Sequence, residues 1–524
     1  MTEKFKLTYS TMFNPPEELH TKFDAAVKTI KAGLGKEYGM IINGKDVFAS
    51  EKFEDRSPIN TDLVLAVMQK GTEEHARTAL TAARKAFPVW SGMHWKERVK
   101  LINRAADLIE ERIFELGAAM ALEVGKNRME SLGDVQETAD LIRYSCYQME
   151  KNKGYIVKMG VDPLVGYKST NTSVLRPYGV WLVISPFNFP FALTGGPAGA
   201  ALTSGNTIVI KPATDTPWIV RLLAECFRDA GLPNGVVNFV TGPGRTLGQA
   251  LIDNPEVDGV TFTGSYDVGM KMYRDFANGR YVRPAILELG GKNPAIVSRK
   301  ADLERAATGI IRSAFGLQGQ KCSACSRVFI DAKVYDKLVE KLVELTNKIA
   351  IGDPTEKSVW LGPVINKSSY QDFINFSEEL SQAGTILTGG ETLTDRELGK
   401  GYFCTPTLVA DVPLNHRLWK HEMFLPITTV ARVKSLDEAM VHANNVEYGL
   451  TAGFYGSKAE TKWFFQNIQA GVTYANRPQG ATTGAWPGFQ PFGGWKGSGS
   501  SGKNAGGHYY VPLYMHEQIW TLVE

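Results

Sequence analysis

The sequence contains few cysteines and no long apolar run. The five cysteines, at positions 146, 226, 322, 325 and 404, are odd in number and lack the spacing of a disulfide framework, which favours a reducing compartment. No window of about 18 apolar residues, the length that a transmembrane helix needs, is present. The first thirty residues are polar and charged and lack the apolar core of a secretory signal. We therefore expect a cytoplasmic protein with no membrane partner.

An excess of charge of one sign is also missing. Lys and Arg number 58 and Asp and Glu 55, which gives a net charge of +3, so no nucleic-acid partner is expected. A chain of 524 residues is too long for one ordinary core and predicts two large domains with room for a small appendage. The 52 glycines cluster after apolar runs, which is typical of backbone that approaches a ligand closely.

The N-terminal third is predicted to be an arm followed by helices. Residues 1–50 read as an arm with a helix after Pro16 and a hairpin that turns at Asn43-Gly44. Residues 73–148 show the apolar period of long amphipathic helices. The polar, glycine-containing stretch 155–174 predicts a protruding hairpin that pairs with another subunit.

From residue 180 onward, short apolar strands alternate with helical segments. This alternation predicts an α/β fold whose parallel sheet carries helices on both faces. Such sheets bind ligands at the carboxyl ends of their strands. The predicted strands are 181–184, 207–210, 236–240 and 260–262, and the helices between them include 218–230 and 247–254.

Each of these four strands is followed by a turn that feeds a helix, and a glycine-rich turn of this kind holds phosphate against backbone N–H groups. The pattern Gly242-x-Gly244 has its third glycine, Gly248, one residue late, so that motif alone is weak evidence. Four such turns at one edge of a sheet are much stronger evidence. The turns span 185–190, 211–214, 242–248 and 264–269.

A second glycine-rich stretch near the C-terminus imitates a phosphate loop. Residues Gly497 to Lys503 match that spacing as far as the lysine, but Asn504 replaces the Ser or Thr that binds magnesium, and no buried strand precedes the stretch. We interpret it as a loop between Phe492 and a final strand at 509–514 rather than as a triphosphatase site.

Cys322 has three interpretations on local sequence alone. Most cysteines are small core residues, and the Cys322-x-x-Cys325 spacing is also that of a redox pair or half a metal site. No second such pair and no nearby histidine occur, which makes a zinc site weak; we expect no metal. Small and polar neighbours favour an accessible nucleophile. Glu288, at the end of an apolar strand before paired glycines, is interpreted as a desolvated general base or as a capping or ion-paired glutamate.

Six motifs decide between these readings, because their order and spacing resemble those of the aldehyde dehydrogenase superfamily over essentially the whole chain. The resemblance implies a Rossmann-type cofactor domain with the N-terminal arm (1–154 and 175–289), an α/β catalytic domain (290–490) and a small β oligomerisation flap (155–174 and 505–524). The motifs are Pro186-Phe187-Asn188-Phe189-Pro190, Lys211-Pro212-Ala213, Phe262-Thr263-Gly264-Ser265, Glu288-Leu289-Gly290-Gly291-Lys292, Gly319-Gln320-Lys321-Cys322 and Pro491-Phe492-Gly493-Gly494.

The resemblance also implies roles for the catalytic and cofactor residues. Cys322 is then the nucleophile, Asn188 an oxyanion donor and Glu288 the base that activates water, with NAD or NADP as cofactor. Thr214 stands where the family usually has a glutamate that excludes a 2′-phosphate, so NADP is feasible; Leu425 replaces a usual glycine. The implied cofactor residues are Ser185, Pro186, Phe187, Lys211, Thr214, Gly244, Gly248, Gly264, Ser265, Leu289, Glu422 and Phe424.

Within the superfamily the sequence looks most like the 1-pyrroline-5-carboxylate dehydrogenases. This likeness favours oxidation of L-glutamate γ-semialdehyde to L-glutamate in proline catabolism, by a dimer or dimer-based homo-oligomer. The run 477–482 is longer than expected in that group and bears on the shape of the loop Thr483-Gly484-Ala485 that follows it, which the resemblance implies to bind the α-carboxylate and amine of the substrate. Alternatives are another small polar aldehyde, such as succinate semialdehyde, or an inactive member with a structural or binding role. The implied substrate residues are Phe189, Ser323, Gly484, Ala485 and Phe492.

Overall fold

The computed structural model describes residues 15–163, 165–480 and 486–524. The predicted substrate residues Gly484 and Ala485, and the first part of the predicted arm, lie outside these ranges. The described α-helices are α1 (Glu17–Ala32), α2 (Glu73–Gly92), α3 (Trp95–Glu111), α4 (Ile113–Val124), α5 (Arg128–Lys151), α6 (Ala192–Ser204), α7 (Pro217–Asp229), α8 (Gln249–Asp253), α9 (Tyr266–Ala277), α10 (Leu303–Phe315), α11 (Tyr335–Asn347), α12 (Lys367–Ala383), α13 (Leu436–Asn444) and α14 (Lys458–Asn467).

The described strands form two seven-stranded sheets and three smaller ones. They are β1 (Lys36–Glu37), β2 (Met40–Ile42), β3 (Lys45–Val47), β4 (Lys52–Arg56), β5 (Val64–Gln69), β6 (Ile156–Lys158), β7 (Ser169–Pro177), β8 (Val180–Ile184), β9 (Thr207–Lys211), β10 (Val237–Phe239), β11 (Gly259–Thr263), β12 (Ala285–Glu288), β13 (Asn293–Val297), β14 (Cys325–Asp331), β15 (Thr385–Thr388), β16 (Thr407–Ala410), β17 (Ile427–Val433), β18 (Tyr448–Gly449), β19 (Thr451–Tyr455), β20 (Val472–Ala475), β21 (Trp495–Lys496) and β22 (Met515–Val523).

The first large sheet has the strand order β12-β11-β8-β9-β10-β2-β3. Strands β8 to β12 are parallel, as predicted, and β2 and β3 add an antiparallel edge. Successive side chains alternate between two apolar clusters: Trp181 and Val183 face one, Leu182 the other. Helices α3, α4 and α5 pack on the first cluster and α2 on the second. The sheet is therefore buried on both faces, which is why its strands read as continuous apolar runs.

The second large sheet has the order β15-β16-β17-β14-β13-β19-β20. The chain enters it directly from the first sheet, because β12 ends at Glu288 and β13 begins at Asn293. Asn293 is also paired in register with Cys325, the first residue of β14. The two residues of interest, Glu288 and Cys322, thus lie where the first sheet ends and the second begins.

The predicted hairpin forms from β6 and β7, and β22 pairs with β7 along nine residues, from Met515 opposite Pro177 to Val523 opposite Ser169. The prediction of a final strand at 509–514 is wrong: Val511–Tyr514 is a short 3₁₀ helix and the strand begins at Met515. Pro512 stands in the first turn of that helix, where its fixed φ is compatible with helix and its missing N–H is not needed.

A second difference concerns the helix predicted at 247–254, which starts earlier as a π-helical turn at Gly244–Gly248 and continues as α8. The described ranges contain no helix with both the length and the apolar character required to cross a bilayer.

Candidate active site

One cavity of about 830 Å³ opens at the carboxyl ends of β8, β9, β11 and β12. Every residue predicted to be catalytic or to bind the cofactor lines it. These are Asn188, Glu288 and Cys322, with Ser185, Pro186, Phe187, Lys211, Thr214, Gly244, Gly248, Gly264, Ser265, Leu289, Glu422 and Phe424. Arg245, Lys271, Ser369 and Asp372 also line the cavity and were not predicted, because single charged or polar residues between motifs carry no local signal.

Cys322 is presented by an unusual backbone turn. Leu317, Gln318 and Gly319 all adopt left-handed φ values, of 48°, 56° and 67°, and a non-glycine residue in this region costs about 1–3 kcal/mol. A Cβ on Gly319 would lie 2.2 Å from the carbonyl oxygen of Leu425, so only glycine fits where these two segments meet. The turn ends in the half-buried Cys322 at the cavity wall.

This turn is braced by groups from other elements. The Glu130 carboxylate accepts hydrogen bonds from the Leu317 N–H at 3.2 Å and from the Lys321 ammonium at 3.1 Å. The Gln318 side chain donates to the Gly125 carbonyl at 3.0 Å. Glu130 was not predicted, because its place in the first turn of α5, beside the cap residue Asn127, is that of an acidic residue at an ordinary helix start.

Asn188 connects the strand ends to the cysteine turn. Its side chain is buried, and its amide Nδ2 donates to the Gln320 carbonyl at 2.9 Å. The Gln320 side-chain oxygen in turn accepts from the Ile365 N–H at 3.0 Å. An amide nitrogen carries two protons, so one fixes the orientation of Asn188 and the second is left for an oxygen atom in the cavity.

Glu288 has a different environment. Its Oε2 is buried and has no hydrogen-bond partner among the described residues, and burial raises the pKa of this carboxyl well above its usual range. Burial and the carboxylates of Glu422 and Glu288 likewise raise the pKa of the Cys322 thiol, whereas the N–H groups of Ser323 and Cys322 lower it. A carboxyl with a raised pKa is a stronger base, and it lies in the cavity that holds this thiol.

Cys325 does not share the accessible environment of Cys322. It is buried at the start of β14, its thiol donates to the Arg327 carbonyl at 3.7 Å, and burial raises its pKa to about 12. All five cysteines are free thiols, and no group of three potential metal ligands occurs in the described part of the chain. The arrangement therefore supports a nucleophilic Cys322 rather than a redox pair.

Glu422 and Phe424 line the cavity in contact with residues that follow β12 and β8. Glu422 accepts from the Gly291 N–H at 2.7 Å, and a Cβ on Gly290 would lie 2.1 Å from its other oxygen. Burial raises the pKa of Glu422 to about 7. The Phe424 ring meets Phe187 edge to face at 5.7 Å. Leu425, which stands where the family usually has glycine, is buried and packs into the core of the second sheet. Its side chain therefore belongs to the core as well as to the lining of the cavity.

The other end of the cavity holds buried polar groups with few or no partners in the described part of the chain. The Ser185 hydroxyl is buried without a hydrogen bond among the described residues. The Lys211 ammonium donates to the carbonyl of its neighbour Pro212, at 3.0 Å, and burial lowers its pKa to about 8. A Cβ on Gly248 would press on the Lys211 side chain at 3.3 Å. Such groups fit a polar ligand with hydroxyl and phosphate oxygens.

The predicted substrate residues Phe189, Ser323 and Phe492 are not among the residues that line this cavity. Phe492 packs against Ala192 and Leu141, and the centre of the Phe189 ring lies 3.7 Å from the Lys126 ammonium. Ser323 is buried directly after the cysteine. Their substrate role stays a prediction.

A buried ion pair beneath Phe189 was also not predicted. Lys126 and Asp134 are fully buried and 2.7 Å apart, and Asp134 accepts from the Ala192 N–H at 2.7 Å. Burial lowers the pKa of Lys126 and raises that of Asp134. A buried ion pair is costly unless its hydrogen bonds are satisfied, and the Ala192 N–H satisfies one oxygen of Asp134. Because Asp134 lies in α5 and Ala192 begins α6, this bond links the two helices.

The comparisons with known proteins agree with this geometry. The sequence profile of the aldehyde dehydrogenase family matches residues 47–519, and the chain belongs to that family. A 1-pyrroline-5-carboxylate dehydrogenase of Geobacillus sp. (strain WCH70) is 39% identical over 507 residues, 96% of each chain. A Thermus 1-pyrroline-5-carboxylate dehydrogenase with bound NAD superposes with a TM-score of 0.92 at 32% identity, covering 100% of both chains. An E. coli NADP-dependent enzyme gives 0.86 at 30% identity, covering 93% of this chain and 98% of its own.

Proposed function

We propose that the protein oxidises an aldehyde to a carboxylic acid with NAD or NADP, and that its preferred substrate is L-glutamate γ-semialdehyde. The observation that carries the reaction is the convergence of Cys322, Asn188 and Glu288 on one cavity that also holds every predicted cofactor residue. The relatives named 1-pyrroline-5-carboxylate dehydrogenase, matched over nearly the whole chain, support the substrate.

In this proposal Cys322 is the nucleophile. Its thiol loses a proton to solvent, and the resulting thiolate sulfur adds to the aldehyde carbon to give a thiohemiacetal. The free proton of the Asn188 amide and the Cys322 N–H donate to the oxygen that becomes negative. One donor of this kind lowers the barrier by about 2.7–4 kcal/mol.

Lys211, Ser185, Glu422 and the glycine turns would hold the cofactor. Bound NAD or NADP supplies the acceptor for the hydride that leaves the substrate carbon, so that a thioester remains on Cys322. Glu288 then takes a proton from a water molecule, whose oxygen attacks the thioester and releases the acid. Thr214 carries no charge that would repel a 2′-phosphate, which supports use of NADP beside NAD.

For the domains, we propose a cofactor domain of residues 1–154 and 175–289, a catalytic domain of 290–490 and a flap of 155–174 and 505–524. The first large sheet lies within the first of these and β13 to β20 within the second. The cavity at their junction is the proposed site.

The flap is proposed to join copies of this chain into a dimer or dimer-based assembly. Its sheet, β22-β7-β6, has two edge strands, and edges of this kind pair readily with other chains. Several large apolar side chains on it are about half exposed: Ile156, Val157, Ile519, Trp520, Leu522 and Val523. Light scattering on the purified protein tests this, and a stable monomer at working concentration would contradict it.

A panel of aldehydes assayed with both cofactors tests the activity. We expect the highest kcat/KM for L-glutamate γ-semialdehyde, with succinate semialdehyde and simple aliphatic aldehydes as competitors and the Cys322→Ala variant as control. No preference for the glutamate semialdehyde would overturn the substrate assignment. Absence of turnover with every aldehyde would favour a structural or binding role.

A further inference from the structure

The glycine- and serine-rich stretch near the C-terminus, which imitates a phosphate loop, lies along the edge of strand β12. We call residues Ser498–Ser500 the edge strap. Strand β12 is the outermost strand of the first sheet, and Glu288 at its end forms an antiparallel bridge with Gly499. The strap therefore occupies an edge that would otherwise be unpaired.

Hydrogen bonds from the edge strap fix the backbone on both sides of Glu288. The Leu289 N–H donates to the Ser498 carbonyl at 2.9 Å. On the other side, the Ser500 N–H donates to the Leu287 carbonyl at 3.1 Å, and the Leu287 N–H donates to the Ser500 hydroxyl at 2.9 Å. The position of the Glu288 Cα is thus set from both neighbours.

The Ser498 hydroxyl connects the two large domains. It donates to the Gly290 carbonyl at 2.7 Å and accepts from the Gly449 N–H at 3.0 Å, and the side chain is fully buried. Gly290 follows the first sheet, whereas Gly449 ends β18, two residues before β19 of the second sheet begins at Thr451. One hydroxyl therefore joins the segment after Glu288 to the part of the protein that carries Cys322.

Two carboxylates of the cavity depend on this segment. Glu288 Oε2 has no hydrogen-bond partner among the described residues, so its direction depends on the backbone that carries it. Gly290 leaves only 2.1 Å between a notional Cβ and the Glu422 carboxylate, and Gly291 donates to the same carboxylate at 2.7 Å. A shift at Gly290 would move both groups.

We propose that Ser498 is a positioning residue for the hydrolysis step. By fixing the backbone around Glu288, Ser498 directs this carboxyl at the thioester and keeps it out of bulk water. The inference rests on the proposed function, because it assigns Ser498 a part in the step that Glu288 is proposed to perform. It gives a mechanistic role to a motif that the spacing of glycines would assign to phosphate binding.

Ser498→Ala tests the proposal, with Ser501→Ala as matched control. Ser501 lies in the same stretch, but the hydrogen bonds of its hydroxyl to described residues stay within the loop, at the backbone of Lys503. We expect Ser498→Ala to lower kcat by about ten- to a hundredfold, since a misplacement of ~1 Å can cost about a hundredfold. The pre-steady-state rate of cofactor reduction should fall much less, so the ratio of burst rate to steady-state rate should rise. Ser501→Ala should leave both rates unchanged.

The pH profile separates positioning from general loss of structure. If the strap excludes water from Glu288, the loosening of the strap in Ser498→Ala lets the raised pKa of that carboxyl fall. The acidic limb of kcat then moves to lower pH by about half a unit or more. A purely structural change would lower the active fraction and leave both the limb and the rate ratio in place, which would overturn the proposal. If Ser498→Ala does not fold, as judged by thermal melting, Ser500→Ala carries the same test through its bond to Leu287.

Glu288→Gln distinguishes the two levels of the argument. If this variant keeps full turnover, the role of Glu288 in the proposed function is wrong. If it loses turnover while Ser498→Ala behaves as the unchanged protein, the proposed function stands and the inference about Ser498 fails.

Discussion

The two walls of the cavity are built in different ways. The turn before Cys322, from the side of the second sheet, is held by protein contacts: Glu130 and Gly125 brace it, and a glycine meets a neighbouring backbone. Its buried polar atoms without a partner among the described residues, Gln318 Oε1 and Gln320 Nε2, belong to residues that do not line the cavity. The strand ends of the first sheet instead leave polar atoms such as Ser185 Oγ and Glu288 Oε2 without partners in the described structure. We call these the braced wall and the open wall. The comparison indicates that the turn carrying Cys322, the proposed nucleophile, is fixed by the protein itself, whereas the open wall offers polar groups to a ligand.

The largest effect is expected on the braced wall itself. Cys322→Ala removes the sulfur that is proposed to form the covalent intermediate, so dehydrogenase turnover should fall to background. Cofactor binding, measured by fluorescence or calorimetry, should remain, because the open wall is untouched. Turnover that survives this substitution would exclude the proposed mechanism.

Glu288→Gln tests the open wall. A general base contributes about 10²–10⁴-fold, so steady-state turnover should fall by that range while a rapid first reduction of cofactor survives. In the unchanged protein, burial raises the pKa of this carboxyl above its ordinary value of 4.5. The base form is therefore lost at a higher pH than for an exposed glutamate, and kcat should rise with pH through that raised pKa. Glu288→Gln should lack this acidic limb; a limb that persists would have to come from another group.

Asn188→Ala tests the contact between the two walls. Asn188 lies after β8 of the first sheet but is oriented by the Gln320 carbonyl of the cysteine turn. Loss of one oxyanion donor should reduce kcat by about 10²–10³-fold. Asn188→Asp, of equal size but without the donor, should be no more active. Stopped-flow measurement of the first cofactor reduction checks that the slowed step is the attack of sulfur on the carbonyl.

The way each part of the two walls is built decides whether the sequence predicts it. The strands and glycine turns were predictable because buried parallel strands and close backbone approaches leave local patterns, as at β8 and Gly264. The bracing by Glu130 was not predictable, because its partner Lys321 lies 191 positions away and Glu130 itself reads as part of an ordinary helix start. The Lys126–Asp134 pair was not predictable either, because its residues, 8 positions apart, also read as the start of a helix. The strand predicted at 509–514 failed because Tyr510 and Tyr514 are buried in the core, and their apolar spacing suits a strand and a short helix equally well.

Glu130→Gln should have a smaller effect, again on the braced wall. The variant keeps an acceptor for the Leu317 N–H but loses the charge opposite Lys321, whose side chain is almost fully buried. We expect a drop in kcat of about tenfold and a lower melting temperature, since breaking a buried ion pair is destabilising. A matched change at the exposed Glu150→Gln, in the last turn of α5, should alter neither; an equal loss there would point to a general effect of charge on α5.

Thr214→Glu should have the smallest effect and act on one ligand only. A carboxylate placed on the open wall near the ribose site should repel a 2′-phosphate, by about 1 kcal/mol for charges 4 Å apart in water. We expect kcat/KM with NADP to fall about five- to tenfold and that with NAD to stay within twofold. An equal change with both cofactors would place Thr214 away from the 2′ position.

The edge strap and the C-terminal strand have a consequence for the order in which the first sheet can close. Both follow β12 and the whole second sheet in the chain, yet the strap covers β12 and the Tyr514 hydroxyl hydrogen-bonds Thr261 inside the first sheet. The first sheet therefore keeps one open edge until segments that lie beyond the second sheet in the chain fold back onto it. A chain truncated before Ser498 would carry Cys322 and Glu288 without the contacts that hold the sheet edge.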